Sequence, residues 1–153
     1  MSKISVLMSV YKKENPEYLR ASLESILVQT RTADEILLIE DGPLTQELYQ
    51  VVAEYQKKCD YLHVHAMEQN VQLGRALAKG VELCQYDLIA RMDTDDIAMP
   101  DRLEREGAYM EAHPEVDVVG GAIREFNDEG TIDRVKNMPK TQEEILEYVK
   151  VRN

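Results

Sequence analysis

Acidic residues gather in two short segments of the sequence, and each segment follows an apolar run. Asp93-Thr94-Asp95-Asp96 comes directly after the run 86–92, and Glu40-Asp41 comes directly after the run 35–39. Three carboxylates within four residues repel one another unless water or a shared cation screens them. Carboxylate and hydroxyl oxygens suit Mg²⁺ or Mn²⁺, which take one or two protein carboxylates and complete their coordination with water and phosphate oxygens. The two segments therefore predict a site for a metal-bridged diphosphate.

The acidic loop also has a simpler interpretation. Asp95 or Asp96 could cap the helix that follows, while the other carboxylates are merely solvated. A single Asp-x-Asp motif is weak evidence for a metal site. The prediction of a site therefore depends on its position after a buried strand, with a second acidic pair at another strand end.

Hydrophobic periodicity predicts the elements that position these segments. Apolar runs predict strands over residues 4–11, 35–39, 61–67, 86–92 and 116–119, the last of which breaks at Gly120-Gly121. Helical spacing predicts helices between the strands, and their start signals are Asn15 with Pro16, Thr45, and a capping box of Thr141 with Glu144. Asn127 to Gly130 is a turn signal.

Repeated alternation of strands and helices predicts a three-layer α/β/α fold with a mainly parallel sheet and right-handed crossovers. In such sheets the ligand crevice lies beyond the carboxyl ends of the strands. Ser9-Val10-Tyr11, Glu40-Asp41 and the segment 93–96 end three different strands. We therefore expect these three polar segments to converge on one edge of the sheet.

The overall charge restricts the classes of partner. The 153 residues carry 29 Asp and Glu against 18 Lys and Arg, which gives a formal net charge of -11. Nucleic-acid binding needs a positive face, and the sequence has no cluster of basic residues to form one. An anionic small ligand would need a divalent cation or helix N-termini at its site.

The cysteines and the apolar segments bear on localisation. Cys59 and Cys84 lack the CxxC spacing, and we interpret both as reduced thiols of a cytoplasmic protein. The run Ile4 to Val10 is far shorter than the roughly 20 residues of a membrane helix, and no cleavable signal follows it. We therefore predict that this segment neither spans a membrane nor directs export.

Four motifs in order along the chain resemble glycosyltransferase family 2. They are Ser5-Val6-Leu7-Met8-Ser9-Val10-Tyr11, Glu24-Ser25-Ile26-Leu27-Val28-Gln29-Thr30, Glu40-Asp41-Gly42 and Asp93-Thr94-Asp95-Asp96. The longer string Ala90 to Asp96, followed by Pro100-Asp101-Arg102, resembles the bacterial branch that builds capsule, exopolysaccharide and lipopolysaccharide chains, including amylovoran-type transferases. The resemblance covers essentially the whole chain.

This resemblance implies a GT-A fold, a nucleotide-diphosphate sugar donor, commonly a UDP-sugar, and one Mg²⁺ or Mn²⁺ ion. The implied acceptor is a saccharide or a lipid-linked saccharide, at the inner face of the cytoplasmic membrane. The residues that it implies for donor binding are Ser9, Val10 and Tyr11 around the nucleoside, Asp41 at the base, and Asp95 at the ribose with Asp93 nearby. Their neighbours Glu40 and Thr94 are included in the predicted donor site. Arg75, in the helix before the fourth strand, would either add a positive charge near the donor or lie on the solvated surface. Asp95 and Asp96 are the implied metal ligands.

The sequence departs from the family pattern at two places. Glu40-Asp41-Gly42-Pro43 replaces the usual two aspartates followed by Gly-Ser, and Gln72 stands where the family often has glycine. Family members are also usually longer, so we expect residues 1–153 to be the nucleotide-sugar-binding part, with the acceptor site and general base beyond Asn153. Four later carboxylates are expected in a polar, loop-like stretch: Glu125, Asp128, Glu129 and Asp133.

Two alternatives remain open from the sequence. The chain could bind a donor without turning it over, or it could be a metal-dependent nucleotidyltransferase on a related fold. A nucleotidyltransferase normally has a glycine-rich phosphate loop after its first strand. The corresponding segment, Tyr11 to Pro16, contains two lysines and no glycine.

Overall fold

The computed structural model describes residues 1–127 and 130–151, except for the side chains of 131–133. It divides into two compact units, Met1–Pro114 and Glu115–Asn153. The first unit contains β1 (Ile4–Val10), α1 (Pro16–Leu27), β2 (Glu35–Glu40), α2 (Gln46–Lys58), β3 (Leu62–Ala66), α3 (Leu73–Leu83), β4 (Leu88–Asp93) and α4 (Arg102–Ala112). The second contains β5 (Ile123–Asn127), β6 (Gly130–Lys136) and α5 (Gln142–Val151).

The first unit has one sheet of four parallel strands in the order β3-β2-β1-β4. Successive strands run from β1 outward to β3 on one side, and β4 lies on the other side of β1. The strand order therefore reverses at β1. The register places Ser9 beside Asp93 and Val10 beside Glu40, so these strands end together.

The two central strands are apolar because helices cover both of their faces. Met8 and Leu38 belong to the core formed with α1, α2 and α4, whereas Leu7 and Ile39 belong to a smaller core under α3. Helix α3 lies very close to the sheet at Gly80, where an added Cβ would be 2.3 Å from Leu7 Cδ1. The three-layer fold with a parallel sheet is thus confirmed.

The predicted helix starts are confirmed as well. The Asn15 side chain accepts a hydrogen bond from the Glu17 amide at 2.8 Å, with Pro16 in the first helical position. Thr45 Oγ1 accepts from the Leu48 amide at 3.3 Å. The Thr141 and Glu144 capping box forms at the start of α5. Each of these contacts is local, so the sequence alone contains the information for it.

The prediction of a fifth strand over 116–119 is wrong. These residues lie outside any helix or strand, and Val118 is 84% exposed, so the short apolar run has no neighbouring strand to cover it. An antiparallel hairpin of β5 and β6 follows instead, with Asn127 paired to Gly130. Residues 128 and 129 lie outside the described residues.

The expected loop-like stretch is corrected by the same hairpin. Glu125 lies on β5 and Asp133 lies on β6, while Asp128 and Glu129 are outside the described part of the chain. The strands form because each supplies the ladder of hydrogen bonds that the other needs, which no single segment reveals. Among the helices within 1–127 and 130–151, none is both long and apolar enough to span a bilayer.

Candidate functional site

Three polar segments meet at the carboxyl edge of the parallel sheet. Ser9 and Asp93 are register partners on β1 and β4, and Val10 and Glu40 are partners on β1 and β2. Because the strands are parallel, the residues that follow them leave the sheet on the same side. The predicted convergence of these segments is therefore confirmed, at the place where the strand order reverses.

The acidic loop presents two aspartates to solvent. Asp95 and Asp96 are exposed, and neither carboxylate forms a hydrogen bond or ion pair with a described residue. Asp93 differs, because its Oδ1 pairs with Arg91 Nη2 at 2.5 Å. Partial desolvation raises the pKa of Asp96, and the negative charges of Asp95 and Asp93 raise it further. A cation at this position would relieve that repulsion.

Thr94, between Asp93 and Asp95 in the sequence, is buried. It is 4% exposed, and its hydroxyl donates to Glu14 Oε2 at 2.5 Å, with the Ser9 carbonyl at 3.4 Å. The residue therefore ties the tip of β4 to the tip of β1 and to the loop after it. In this conformation the Thr94 hydroxyl belongs to the framework that supports the loop.

Asp41 is buried, and each of its carboxylate oxygens binds the loop before α3. It is 4% exposed, its Oδ1 accepts from the Val71 amide at 2.6 Å, and its Oδ2 accepts from Asn70 Nδ2 at 2.9 Å. Gly42 has φ +84°, and an added Cβ there would lie 2.6 Å from the Asn70 nitrogen. Asp41, Gly42, Asn70 and Val71 form a tight junction, which we name the Asp41 clasp.

Glu40 is also buried, but its carboxyl group lacks such partners. It is 6% exposed and makes no side-chain hydrogen bond or ion pair within the described residues. Desolvation raises the pKa of this carboxyl above its ordinary value of 4.5. Its register partner Val10 is completely buried in the core, so only the backbone of Val10 can face a ligand. The Val10 carbonyl accepts from the Asp41 amide at 2.8 Å.

The remaining predicted residues lie around the same edge. Ser9 is half-buried, and Tyr11 is 43% exposed just beyond β1. Arg75 is exposed in the first turn of α3, and its guanidinium has no partner among the described residues. Gln72, immediately before α3, has φ 73° and ψ 153°, a conformation essentially restricted to glycine. This backbone suits the glycine that the family resemblance leads one to expect at that position.

The simpler interpretation, that Asp95 or Asp96 caps the next helix, is wrong because of where that helix begins. Helix α4 begins at Arg102, beyond the reach of a cap from Asp95 or Asp96, and its N-cap residue Asp101 makes no side-chain capping bond. Gln29, just beyond the end of α1, supplies the acceptor instead, since its Oε1 accepts from the Leu103 amide at 3.0 Å.

Sequence reasoning missed the buried polar residues behind this edge. Ser22, Ser25 and Gln29 are at most 7% exposed, although Ser25 and Gln29 stand in one of the quoted motifs. Their spacing of three and then four residues places them on one helical face. Polar residues at that spacing beside the apolar face of a helix could have predicted a buried contact with a neighbouring segment.

The donor set of the acidic loop fits a divalent cation shared with a ligand. No group of three or more His, Cys, Asp or Glu side chains within the described residues is arranged to enclose an ion. Mg²⁺ and Mn²⁺ need only one or two protein carboxylates when water and phosphate oxygens supply the rest. Asp95 and Asp96 provide such a set, on the solvent side of the loop.

These features define a doubly wound α/β domain, a class in which ligands bind beyond the carboxyl ends of the strands. The family described as Glycosyl transferase family 2 matches residues 5–152. The chain therefore belongs to glycosyl transferase family 2.

Two curated relatives match nearly all of the chain. The amylovoran biosynthesis glycosyltransferase AmsE of Erwinia amylovora is 42% identical over 97% of this chain and 55% of its own length. The UDP-Gal:alpha-D-GlcNAc-diphosphoundecaprenol beta-1,3-galactosyltransferase of Escherichia coli is 34% identical over 99% of this chain and 54% of its own. The chain thus spans about half the length of these relatives.

Two solved structures share the fold. Residues 1–349 of S. aureus TarS in complex with UDP-GlcNAc align with a TM-score of 0.64 and 23% identity, covering 73% of this chain and 32% of that one. The mannosyltransferase PcManGT of Pyrobaculum calidifontis, in complex with GDP-Man and Mn²⁺, aligns with a TM-score of 0.67 and 14% identity, covering 81% and 36%. At these identities the likeness establishes the GT-A fold.

Proposed function

We propose that this chain binds the nucleotide-sugar donor of a glycosyltransferase, and that the donor is a UDP-sugar held with Mg²⁺ or Mn²⁺. The observation that carries the proposal is the pair of exposed carboxylates of Asp95 and Asp96, which have no partner among the described residues and lie where the strand order reverses. The negative charge and the exposed position of these two carboxylates favour a cation there. The cation would also offset the net charge of -11, which otherwise repels an anionic donor.

We assign roles to these residues according to whether their charged groups already have partners among the described residues. Asp95 and Asp96 would hold the metal, while Asp93, already paired with Arg91, stays beside it. Arg75 is free to meet a phosphate oxygen from the first turn of α3. A bound divalent cation would offset the charge of the diphosphate and of the departing nucleotide.

We assign the nucleoside of the donor to the tips of β1 and β2. Ser9 and Tyr11 have exposed surface for the nucleoside, whereas Val10 offers its backbone. Asp41 uses two of roughly four acceptor positions of its carboxylate in the clasp, so a base N–H would take a remaining one. Glu40 and Thr94 support this wall from within.

The support for a UDP-sugar comes from relatives. The galactosyltransferase relative is named for UDP-Gal and a diphosphoundecaprenol-linked sugar, and TarS was solved with UDP-GlcNAc. On the basis of the name of the galactosyltransferase relative, we also propose a saccharide or lipid-linked saccharide acceptor at the cytoplasmic face of the membrane. We propose that the acceptor site and the general base correspond to the part of the relatives that this chain does not cover.

The test is calorimetric titration of UDP, UDP-GlcNAc, UDP-Gal and GDP-Man with and without Mn²⁺. We expect Mn²⁺-dependent binding of the UDP compounds, and its loss in Asp95→Ala and Asp96→Ala. Asp60→Asn is the matched control, because Asp60 is an exposed aspartate between α2 and β3, at the opposite edge of the sheet. Equal affinity for the UDP compounds with and without Mn²⁺, or no binding of any nucleotide, would overturn the proposal.

A further inference from the structure

A buried polar stripe on α1 faces the segment that carries the acidic loop. The stripe consists of Ser22, Ser25 and Gln29, which are 0%, 6% and 7% exposed. The first two lie within α1, and Gln29 lies just beyond its end. Buried polar groups are costly unless they are hydrogen-bonded, so these side chains must have partners.

Every partner outside α1 is a backbone group of the β4–α4 segment. Ser22 Oγ donates to the Asp93 carbonyl at 3.0 Å, and Ser25 Oγ accepts from the Ala98 amide at 3.0 Å. Gln29 acts at two places, donating from Nε2 to the Met99 carbonyl at 2.7 Å and accepting the Leu103 amide on Oε1. The stripe therefore holds the segment before, after and well beyond Asp95 and Asp96.

Apart from the stripe, the acidic loop is anchored mainly at Thr94, whose hydroxyl donates to Glu14 Oε2 and contacts the Ser9 carbonyl. Within it, the Asp96 amide reaches the Asp93 carbonyl at 3.3 Å, and the side chains of Asp95 and Asp96 bind no described residue. Three neighbouring carboxylates push the loop toward open conformations. Each buried hydrogen bond to the stripe stabilises the segment, and a buried amide left without its acceptor destabilises it by more than the bond itself contributes. The hydrogen bonds from the stripe to the backbone of this segment therefore oppose the repulsion among Asp93, Asp95 and Asp96.

We propose that Ser25 and Gln29 are positioning residues, which fix the backbone of residues 93–103 so that Asp95 and Asp96 meet a divalent cation and a diphosphate without rearrangement. This inference rests on the proposed function. Ligands that are held in place before binding avoid the entropy of ordering them on binding, so loosening the loop weakens the metal-dependent affinity. Nucleotide contacts that do not involve the metal are unaffected.

The test compares Ser25→Ala and Gln29→Met with Tyr55→Phe. Alanine favours helix and methionine conserves volume, so both stripe variants keep α1 intact. Tyr55→Phe is the matched control, because Tyr55 Oη bonds the Arg20 carbonyl and Glu24 Oε2 on α1 without contacting the acidic loop. Ser25→Ala is the milder stripe change and keeps the inference testable if Gln29→Met does not fold.

The measurements are the UDP dissociation constant with and without Mn²⁺, and hydrogen exchange of the Ala98 and Leu103 amides. We expect the stripe variants to weaken Mn²⁺-dependent UDP binding about tenfold, as other supporting residues of metal ligands do, with faster exchange of Ala98 or Leu103. Tyr55→Phe should leave both values at those of the wild type. A merely stabilising stripe would change thermal unfolding alone.

The outcomes separate the two ideas. If the wild type binds Mn²⁺ and UDP but the stripe variants bind as tightly as Tyr55→Phe, the positioning role is wrong and the proposed function stands. An equal loss with and without Mn²⁺ also overturns the positioning role. If the wild type binds no nucleotide with Mn²⁺, the proposed function fails and the positioning role fails with it.

Discussion

Asp41 and the pair Asp95 and Asp96 occupy comparable places, just beyond β2 and β4 on either side of β1. Asp41 is 4% exposed and both of its oxygens accept hydrogen bonds from the loop before α3. Asp95 and Asp96 are exposed and have no such bonds with described residues. The same residue type thus joins two loops at one strand tip and remains available for a ligand at the other.

The contrast shows that an acidic motif does not by itself identify a metal ligand. What separates the two cases is whether the protein already satisfies the carboxylate. A satisfied carboxylate contributes mainly to stability, because its loss leaves buried donors without acceptors. An unsatisfied, exposed carboxylate contributes little to stability and is free for binding. Three experiments test this division, beginning with the largest expected effect.

Asp41→Ala should lower the free energy of unfolding by about 3 kcal/mol, because the Val71 amide and Asn70 side chain lose a charged acceptor. Asp95→Ala should change it by no more than about 0.5 kcal/mol, as for ordinary surface positions. Urea unfolding at neutral pH measures both. Equal effects of the two substitutions would remove the distinction between a structural and a free aspartate.

Gln72→Gly should raise the free energy of unfolding by about 1 kcal/mol, since glycine relieves the positive φ of 73° at some cost in unfolded-state entropy. The Asp41 clasp holds the residues just before Gln72 and thereby maintains the strain. In an Asp41→Ala background the gain should shrink, which a double-mutant cycle detects. An undiminished gain would show that the clasp does not impose this conformation.

The smallest expected effect concerns Glu40, which is buried like Asp41 but lacks its partners. Burial raises its pKa above 4.5, so the folded state binds the proton more tightly than the unfolded state. The stability that this group contributes is present below the unfolded pKa and is lost as pH rises through the folded pKa. Glu40→Gln should therefore stabilise the protein relative to the wild type increasingly as pH rises from the unfolded pKa of the carboxyl through its folded pKa, in unfolding series on both proteins. A pH-independent difference would contradict it.

The elements of the first unit could be predicted because their signals are local. Apolar runs, helical spacing and the caps at Asn15 and Thr45 each lie within a few residues of what they determine. The fifth strand was predicted wrongly by the same rules, because Val116 to Val119 has the composition of a strand without a neighbouring strand to pair with. Pairing is a property of two segments, and one segment does not reveal it.

The sequence by itself determined the parallel α/β class and placed acidic residues at strand ends, since periodicity and chain direction suffice for both. Only the tertiary structure decided that β4 lies beside β1, that Asp41 is turned into the Asn70 loop, and that α1 holds the acidic loop from behind. The reason is separation along the chain: Ser22 and Asp93 are 71 residues apart, and contacts at such distances exist only once the sheet has assembled.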